Sequence, residues 1–426
     1  MQLEKVKLFS SKRDIFYFFL LCCTLLSFSL GYKYYQYTQL TKYNSKIINA
    51  EVLKHYTKTK CTKRGRFSTK HIAKLKAEDG STFYTITNKK YKNLLYKKIQ
   101  IKIWARDITF LEYLKGYFAF SKILHVNTQL SLKEKLANFI TQQHTSPQLQ
   151  ELFRALFLAQ PPSYKLQQIL SQLGVSHLIA LSGFHLGILS TLLFVLFSPL
   201  YNFFQNRHFP YRNATQESFI TIGLVLLIYI IFVDIPDSLL RAYGMLIIGY
   251  ILYTRGFRVF SMQTLFVSVA LLVSLFPQLL FSLGFYLSVG GVFYIFLFAS
   301  YTKTFSKLWQ FVFLPFWVYL MMLPYSIALF HNFSMLHPLS ILWTTLFAIF
   351  YPLELFLHLI SYGNLFDGAL EKLLHVSQNN PAVFLPKSLL MIHMLLSIAS
   401  AFKHKLLPYL LAYSLFLFIY FIYNVT

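Results

Sequence analysis

Beyond residue 176 the chain is a succession of apolar runs separated by short polar breaks. The runs cover 176–198, 218–233, 239–254, 260–276, 279–300, 308–330, 337–360, 387–401 and 406–422. Stretches of this length and apolarity read as membrane-crossing helices. A further run, Ile15–Leu30, follows the basic segment MQLEKVKLFSSKRD. No small-residue cleavage site follows it, so it reads as an uncleaved anchor helix rather than a signal peptide. That makes about ten spans in a polytopic α-helical membrane protein.

Between the anchor and the spans the pattern changes. Ile99, Ile101 and Ile103 alternate with Lys98, Gln100, Lys102 and Trp104, a period of two with one face to bury and one basic face. IINAEVLKHYT, RGRFSTKHIAKLKA and STFYTITN are also short, β-branched and aromatic, with a turn signal at Asp79-Gly80. Four or five such strands fit a small barrel of OB type, and a generic meander fits nearly as well. From about Gly116 to Gln172 the pattern reads as helical. LQELFRALFLAQPP is apolar, broken by Arg154 and stopped by Pro161-Pro162, and is expected to lie at an interface or re-enter. The chain then divides into a tail and anchor (1–31), a basic β domain (32–115), an amphipathic or interfacial helical linker (116–172) and a transmembrane domain (173–426).

Charge sets the orientation. Lys and Arg precede the anchor, so the N-terminus is expected in the cytoplasm and the β domain outside. The loops at Arg207 and Arg212, at Arg255 and Arg258, and at Lys303 and Lys307 then fall inside, while the outer loops VDIPD, FPQ and HNFSM carry no Lys or Arg. Lys403 and Lys405 strain this scheme, and the last two spans stay unassigned. Of a net charge of +25, residues 31–150 supply +17, from 23 basic and six acidic residues. A block this basic suits a polyanion, and it also suits a plain solvated face. Lys63, Arg64, Arg66, Lys98, Lys102, Trp104 and Arg106 interleave cations with aromatic rings, the mix that binds single-stranded nucleic acid without reading its sequence. Cys22, Cys23 and Cys61 offer neither a disulfide framework nor a metal-binding pair.

Polar residues inside the apolar runs need partners or water. GVSHLIALSGFHLGILS, residues 174–190, holds His177, Ser182, Gly183, His185 and Gly187. On one continuous helix His177 and His185 would lie about 80° apart, with Ser182 on the same side. Gly183 and Gly187 would form a small-xxx-small contact. Such a stripe either lines a wet path or glues helices together. A third reading, an intramembrane serine hydrolase, meets the difficulty that Ser182 and His185 project nearly parallel from one helix. Arg241, after DIPDS, either receives anionic groups, or snorkels to the interface, or pairs with Asp234 or Asp237. His331, Asn332 and His337 flank another outer boundary.

LGVSHLIALSGFHLGIL closely resembles the signature of the ComEC competence family, through Gly174, Ser176, His177, Ala180, Ser182, Gly183, His185 and Gly187. DIPDSLLRAYGML resembles that family's Pro-Ser-x-x-Arg-Ala segment through Ser238, Arg241 and Ala242. FPQLLFSLGFYLSVGGV resembles a later one through Gly284, Phe285, Leu287 and Ser288, with Tyr286 in place of Gln. The resemblance implies a channel, not an enzyme, that imports single-stranded transforming DNA across the cytoplasmic membrane, its path lined by His177, Ser182, Gly183, His185, Arg241 and Ser288. It implies membrane lipid around the bundle, a DNA receptor outside, a cytoplasmic ATPase or single-strand-binding protein, and a separate nuclease. The last is expected because no His-x-His-x-Asp-His cluster occurs, and the nuclease domain of many members is expected to be missing. No cofactor is expected, and no ATP-binding loop occurs, so energy must come from partners or from another gradient. The alternatives are transport of another anionic polymer or lipid-linked precursor, and the serine hydrolase.

Overall fold

The structure is a computed structural model that describes residues 9, 11–61, 67–88, 94–127, 131–257, 259–376 and 383–423. The chain forms two compact units. One is Arg13–Ser163 with Leu271–Phe281; the other is chiefly Tyr164–Ala270 and Ser282–Thr426.

The first unit begins with α1 (Lys12–Thr41), followed by β1 (Lys46–Cys61), β2 (Phe67–Ala77), β3 (Thr82–Thr87) and β4 (Lys98–Trp104). Then come α2 (Phe110–Lys115), β5 (Tyr117–Phe118), β6 (Phe120–Val126), α3 (Leu132–Gln142) and α4 (Pro147–Leu158). The strand order is β5-β3-β2-β1-β4-β6, antiparallel except for β3 with β5. Only Ala119 separates β5 from β6, so one stretch of chain joins both edges of the sheet and curls it on itself. The two strands occupy a region expected to be helical. Their alternation, with Tyr117 and Ala119 inward and Phe118 and Phe120 outward, is short enough to be lost beside the capped turn of α2.

The period-two reading of β4 holds. Ile99, Ile101 and Ile103 are buried with Val52, Leu75 and Phe83, and Phe83 stacks on Tyr117 at 5.4 Å. The Asp79-Gly80 turn forms as its residues require: Gly80 sits at φ +78°, and Asp79 Oδ1 accepts from the Ser81 N–H at 2.9 Å. The anchor helix runs on to Thr41, well past Leu30. Its tyrosines pack on the β domain, where Tyr37 donates to the Ile108 carbonyl at 2.8 Å and Tyr34 meets Phe110 edge-on. In α4, the helix expected at an interface, Leu149, Leu152, Phe153, Leu156 and Phe157 are all buried by protein.

The second unit holds α5 (Tyr164–Gln172), α6 (Ser176–Ile179), α7 (Gly183–His208), α8 (Ala214–Phe232) and α9 (Asp237–Thr254). It continues with α10 (Met262–Leu275), whose end belongs to the first unit, α11 (Leu283–Tyr301), α12 (Lys307–Phe330) and α13 (Ser340–Leu359). Last come α14 (Asp367–His375), α15 (Lys387–Phe402) and α16 (Leu407–Tyr423). Among the described residues six helices are long and apolar enough to cross a membrane: α1, α7, α8, α11, α12 and α13 with its lead-in turn. The apolar helices α10, α15 and α16 are shorter, at 14, 16 and 17 residues. The protein is membrane-embedded, and each expected span has a helix, although only six reach full length. The amphipathic α14 was not anticipated.

Candidate functional site

The run 176–198 is not one helix. It stops after Ile179, passes through Ala180 and Leu181 in non-helical backbone, and restarts at Gly183. Ser182 is the cap of the new helix, with φ −135° and ψ 175°, and its Oγ accepts from the Phe184 N–H at 3.2 Å. His185 stands where a capping box places Glu or Gln. Its Nδ1 accepts from the Ser182 N–H at 3.2 Å and lies 3.0 Å from Ser182 Oγ. The side chains expected to project in parallel are therefore hydrogen-bonded, because Ser182 lies outside the helix that carries His185.

This geometry corrects the one-sided stripe. His185 turns inward, 1% exposed, with its ring edge-on to Phe347 and Tyr351, each 5.0 Å away. Its Nε2 has no hydrogen-bond partner among the described residues, so no carboxylate orients it as a catalytic base would need. His177 lies on the separate turn α6, exposed, with Nε2 3.2 Å from Thr344 Oγ1. The two imidazoles do not share a wet face. The glycines also part company. A Cβ on Gly183 would lie 3.1 Å from that of Ala242, whereas Gly187 has open space around it.

Three separate stretches of sequence meet at this break. The Ser238 hydroxyl donates to the Leu181 carbonyl, joining the first turn of α9 to the interruption. Gly183 packs on Ala242 of the same helix. Gly284, in the first turn of α11, lies against the Arg241 guanidinium, 3.6 Å from Nη1 as measured from where its Cβ would be. Ser288 is half buried one turn further along that helix. The N-terminal ends of α7, α9 and α11 thus converge on Arg241. The caps of α9 and α11, Pro236 and Ser282, make no side-chain hydrogen bond to their first turns. Such ends carry free N–H groups and a partial positive charge.

Arg241 is 4% exposed. It forms no ion pair or hydrogen bond among the described residues. Its guanidinium carbon lies 5.9 Å from the Phe285 ring centroid, and Asp237 acts on it only through space. It neither reaches out to an interface nor pairs with Asp234 or Asp237. A buried cation beside helix N-termini is an arrangement that can take an anionic group. His337 Nε2 donates to the Ser171 carbonyl, 2.9 Å away, and Asn332 donates to Ser171 Oγ at 3.0 Å, so both tie α5 to the segment before α13. Gly174, at φ +72°, fits against His337 and Ser340.

The second candidate surface lies on the β domain. Lys98, Lys102 and Trp104 stand on the outward face of β4, with Lys102 Nζ 5.8 Å from the Trp104 ring. Across the ladders Lys102 pairs with Lys122 and Trp104 with Phe120. Around the sheet Lys54, Lys74 and Tyr84 form another outward row, Lys74 lying over Tyr84. This row was missed, although its residues are in the same basic block. Burial and the neighbouring Lys74 lower the pKa of Lys54. Arg106 is engaged locally, its Nη1 donating to Asn44 Oδ1 at 2.6 Å. Lys63, Arg64 and Arg66 lie outside the described residues.

The family model for competence proteins matches residues 163–425, which include all three converging segments. The chain belongs to the competence protein family. No curated protein and no solved structure matches it. Membership gives a role in competence and DNA uptake, and the segments through which the sequence resembles this family are those that fold together around Arg241.

Proposed function

We propose that this competence protein is the channel through which single-stranded DNA crosses the cytoplasmic membrane, acting as a conduit and not as an enzyme. The observation that carries the reading is Arg241. A cation buried without a direct ion pair, where three helix N-termini meet, is costly unless an anion visits it. Phosphates of a passing strand are such anions, and a single cation with weak dipolar donors binds each one briefly, as conduction requires. Ser182, Gly183 and Ser288 lie at the starts of the helices that meet here, and the exposed His177 lies on the short turn before the break; His185 supports the break by holding the cap. The basic face of the β domain supports a receiving role outside the membrane. Its strand order, with a last strand that joins β3 to β4, fits the OB type and its tolerance of sequence. Ten crossings, with the N-terminus inside, remain the topology that the basic loops favour. A nuclease, a DNA receptor outside and a cytoplasmic ATPase or strand-binding protein would act as separate partners.

The test is deletion of the gene followed by separate tracking of labelled DNA outside and inside the cytoplasmic membrane. A channel gives normal accumulation outside and none inside, restored by the wild-type gene. Loss of accumulation outside would place the protein at an earlier step. A serine-directed covalent probe should leave Ser182 unlabelled; labelling would favour the hydrolase.

A further inference from the structure

One face of α13 carries a polar or titratable group at nearly every turn. Starting from the turn before the helix, His337, Ser340, Thr344, Phe347, Tyr351, Glu354 and His358 follow at alternating steps of three and four residues. That spacing places them in one row. From Ser340 to His358 the row climbs about 27 Å at 1.5 Å per residue, close to the hydrocarbon thickness of a bilayer. All but Thr344, which is half buried, are buried in the protein.

Partners extend the row sideways. Thr344 meets His177 of α6 at 3.2 Å. Phe347 is the one apolar step, and His185 of α7 spans it, touching both Phe347 and Tyr351. Tyr351 is hydrogen-bonded to Tyr229 of α8. At the far end Glu354 is 0% exposed. Among the described residues its carboxylate has no hydrogen-bond partner; the His358 imidazole lies beside it, Nδ1 3.2 Å from Oε2 while donating to the Glu354 backbone carbonyl at 2.8 Å. Elsewhere around the row, α12 has no Asp, Glu, Lys or Arg between Leu308 and Phe330, and its tyrosines are Tyr319 and Tyr325. Phe350 packs on Phe366, next to Asp367.

A carboxylate this deeply buried is costly as a lone anion, and an imidazole stands within reach of it. Hydroxyls and imidazoles pass a proton by taking one on one side and releasing one on the other. We infer that the row on α13 is a proton path through the membrane, with Glu354 and His358 as its loading pair. On the transport reading above, on which this step of the inference rests, proton movement along α13 would couple to the strand, since His177 and His185 belong both to this row and to the helix break beside Arg241. A chain without an ATP-binding loop would then have a source of energy inside its own bundle.

The test uses the full-length protein in liposomes that enclose a pH-sensitive dye, with a potassium diffusion potential as the driving force. Proton entry is followed with and without a 40-mer single strand outside. Wild-type protein should carry protons in at least one of these conditions at a rate at least tenfold above Glu354→Gln, with Tyr351→Phe intermediate. Dicyclohexylcarbodiimide, which modifies protonated carboxyls in apolar surroundings, should block the flux and label Glu354 in the wild-type protein, so the result does not depend on a variant folding. Absence of flux in both conditions, full flux in Glu354→Gln, or block without label at Glu354 would overturn the path. Labelled DNA import measured in cells is independent of these readouts: import that persists in the deletion strain, with proton flux intact in liposomes, would sink the channel reading and leave the path standing.

Discussion

Replacing Arg241 by Met removes a charge while keeping an unbranched apolar stem. Arg241 is 4% exposed and makes no direct ion pair, so its desolvation, several kcal/mol for a buried ion, is offset only in part by Asp237 acting through space. The Phe285 ring at 5.9 Å returns about 0.5–2 kcal/mol. The ends of α7, α9 and α11 present their positive poles, each unfavourable to a cation by about 0.3–1 kcal/mol. Exchanging such a cation for an apolar group of similar volume should leave the protein as stable as before or stabilise it by about 1–4 kcal/mol. The function should move the other way. Loss of one charged hydrogen bond to phosphate, about 1.5–3 kcal/mol, should cut DNA import by roughly one to two orders of magnitude. Arg241→Lys should retain part of it. The assays are thermal unfolding in detergent and import of labelled DNA in cells. If Arg241→Met unfolds at a lower temperature while import persists, Arg241 is a structural cation and the reasoning fails. If it is stabilised and import is unchanged, no anion uses the site.

Gly174→Ala should destabilise the bundle by about 1–3 kcal/mol or more, because φ is +72° and the new Cβ would lie 3.2–3.3 Å from Ser340 and His337; thermal unfolding measures it. Ser182→Ala should cost about 0.5–2 kcal/mol of stability, the value of a cap, and Ser182→Asp should restore much of it. On the β domain, Lys102→Gln should lower the slope of log affinity for single-stranded DNA against log salt by about 0.7, while Trp104→Ala should weaken binding by about 1–3 kcal/mol whatever the sequence; titration at three salt concentrations separates the two. Burial, and then His71, lowers the pKa of His55 below its ordinary 6.5. The unfolded chain therefore binds more protons just below pH 6.5, so β-domain stability should fall as pH drops through that range. His55→Gln should flatten the profile, which denaturant melts at pH 5.5 and 7.5 would show.

The residues that revealed their place in the sequence are those with a local period. Ile99, Ile101 and Ile103 alternate with polar neighbours and are buried as the alternation requires. Apolar length revealed the long helices. The break at Ala180–Ser182 was hidden by its own composition, since the run around it is apolar on both sides. The signal present was a Ser-Gly pair with His three residues after the Ser, in a box usually closed by Glu. The meeting of Ser238, Gly183 and Gly284 with Arg241 is a matter of tertiary packing that no local period encodes. The Glu354–His358 pair is legible as an acid and an imidazole four residues apart in an apolar run. The strands β5 and β6 were too short, at two and seven residues, to outweigh the helical pattern around them.

The central claim is that a strand in transit passes the point where α7, α9 and α11 begin. Phe184, exposed beside that point, leaves room for the larger photoreactive benzoylphenylalanine. Illumination while a labelled strand is stalled in the membrane should attach the label to this protein at position 184, and Arg241→Met should abolish the adduct. An adduct that forms equally well without Arg241, or a stalled strand that never reacts here but reacts with another protein, would contradict the account.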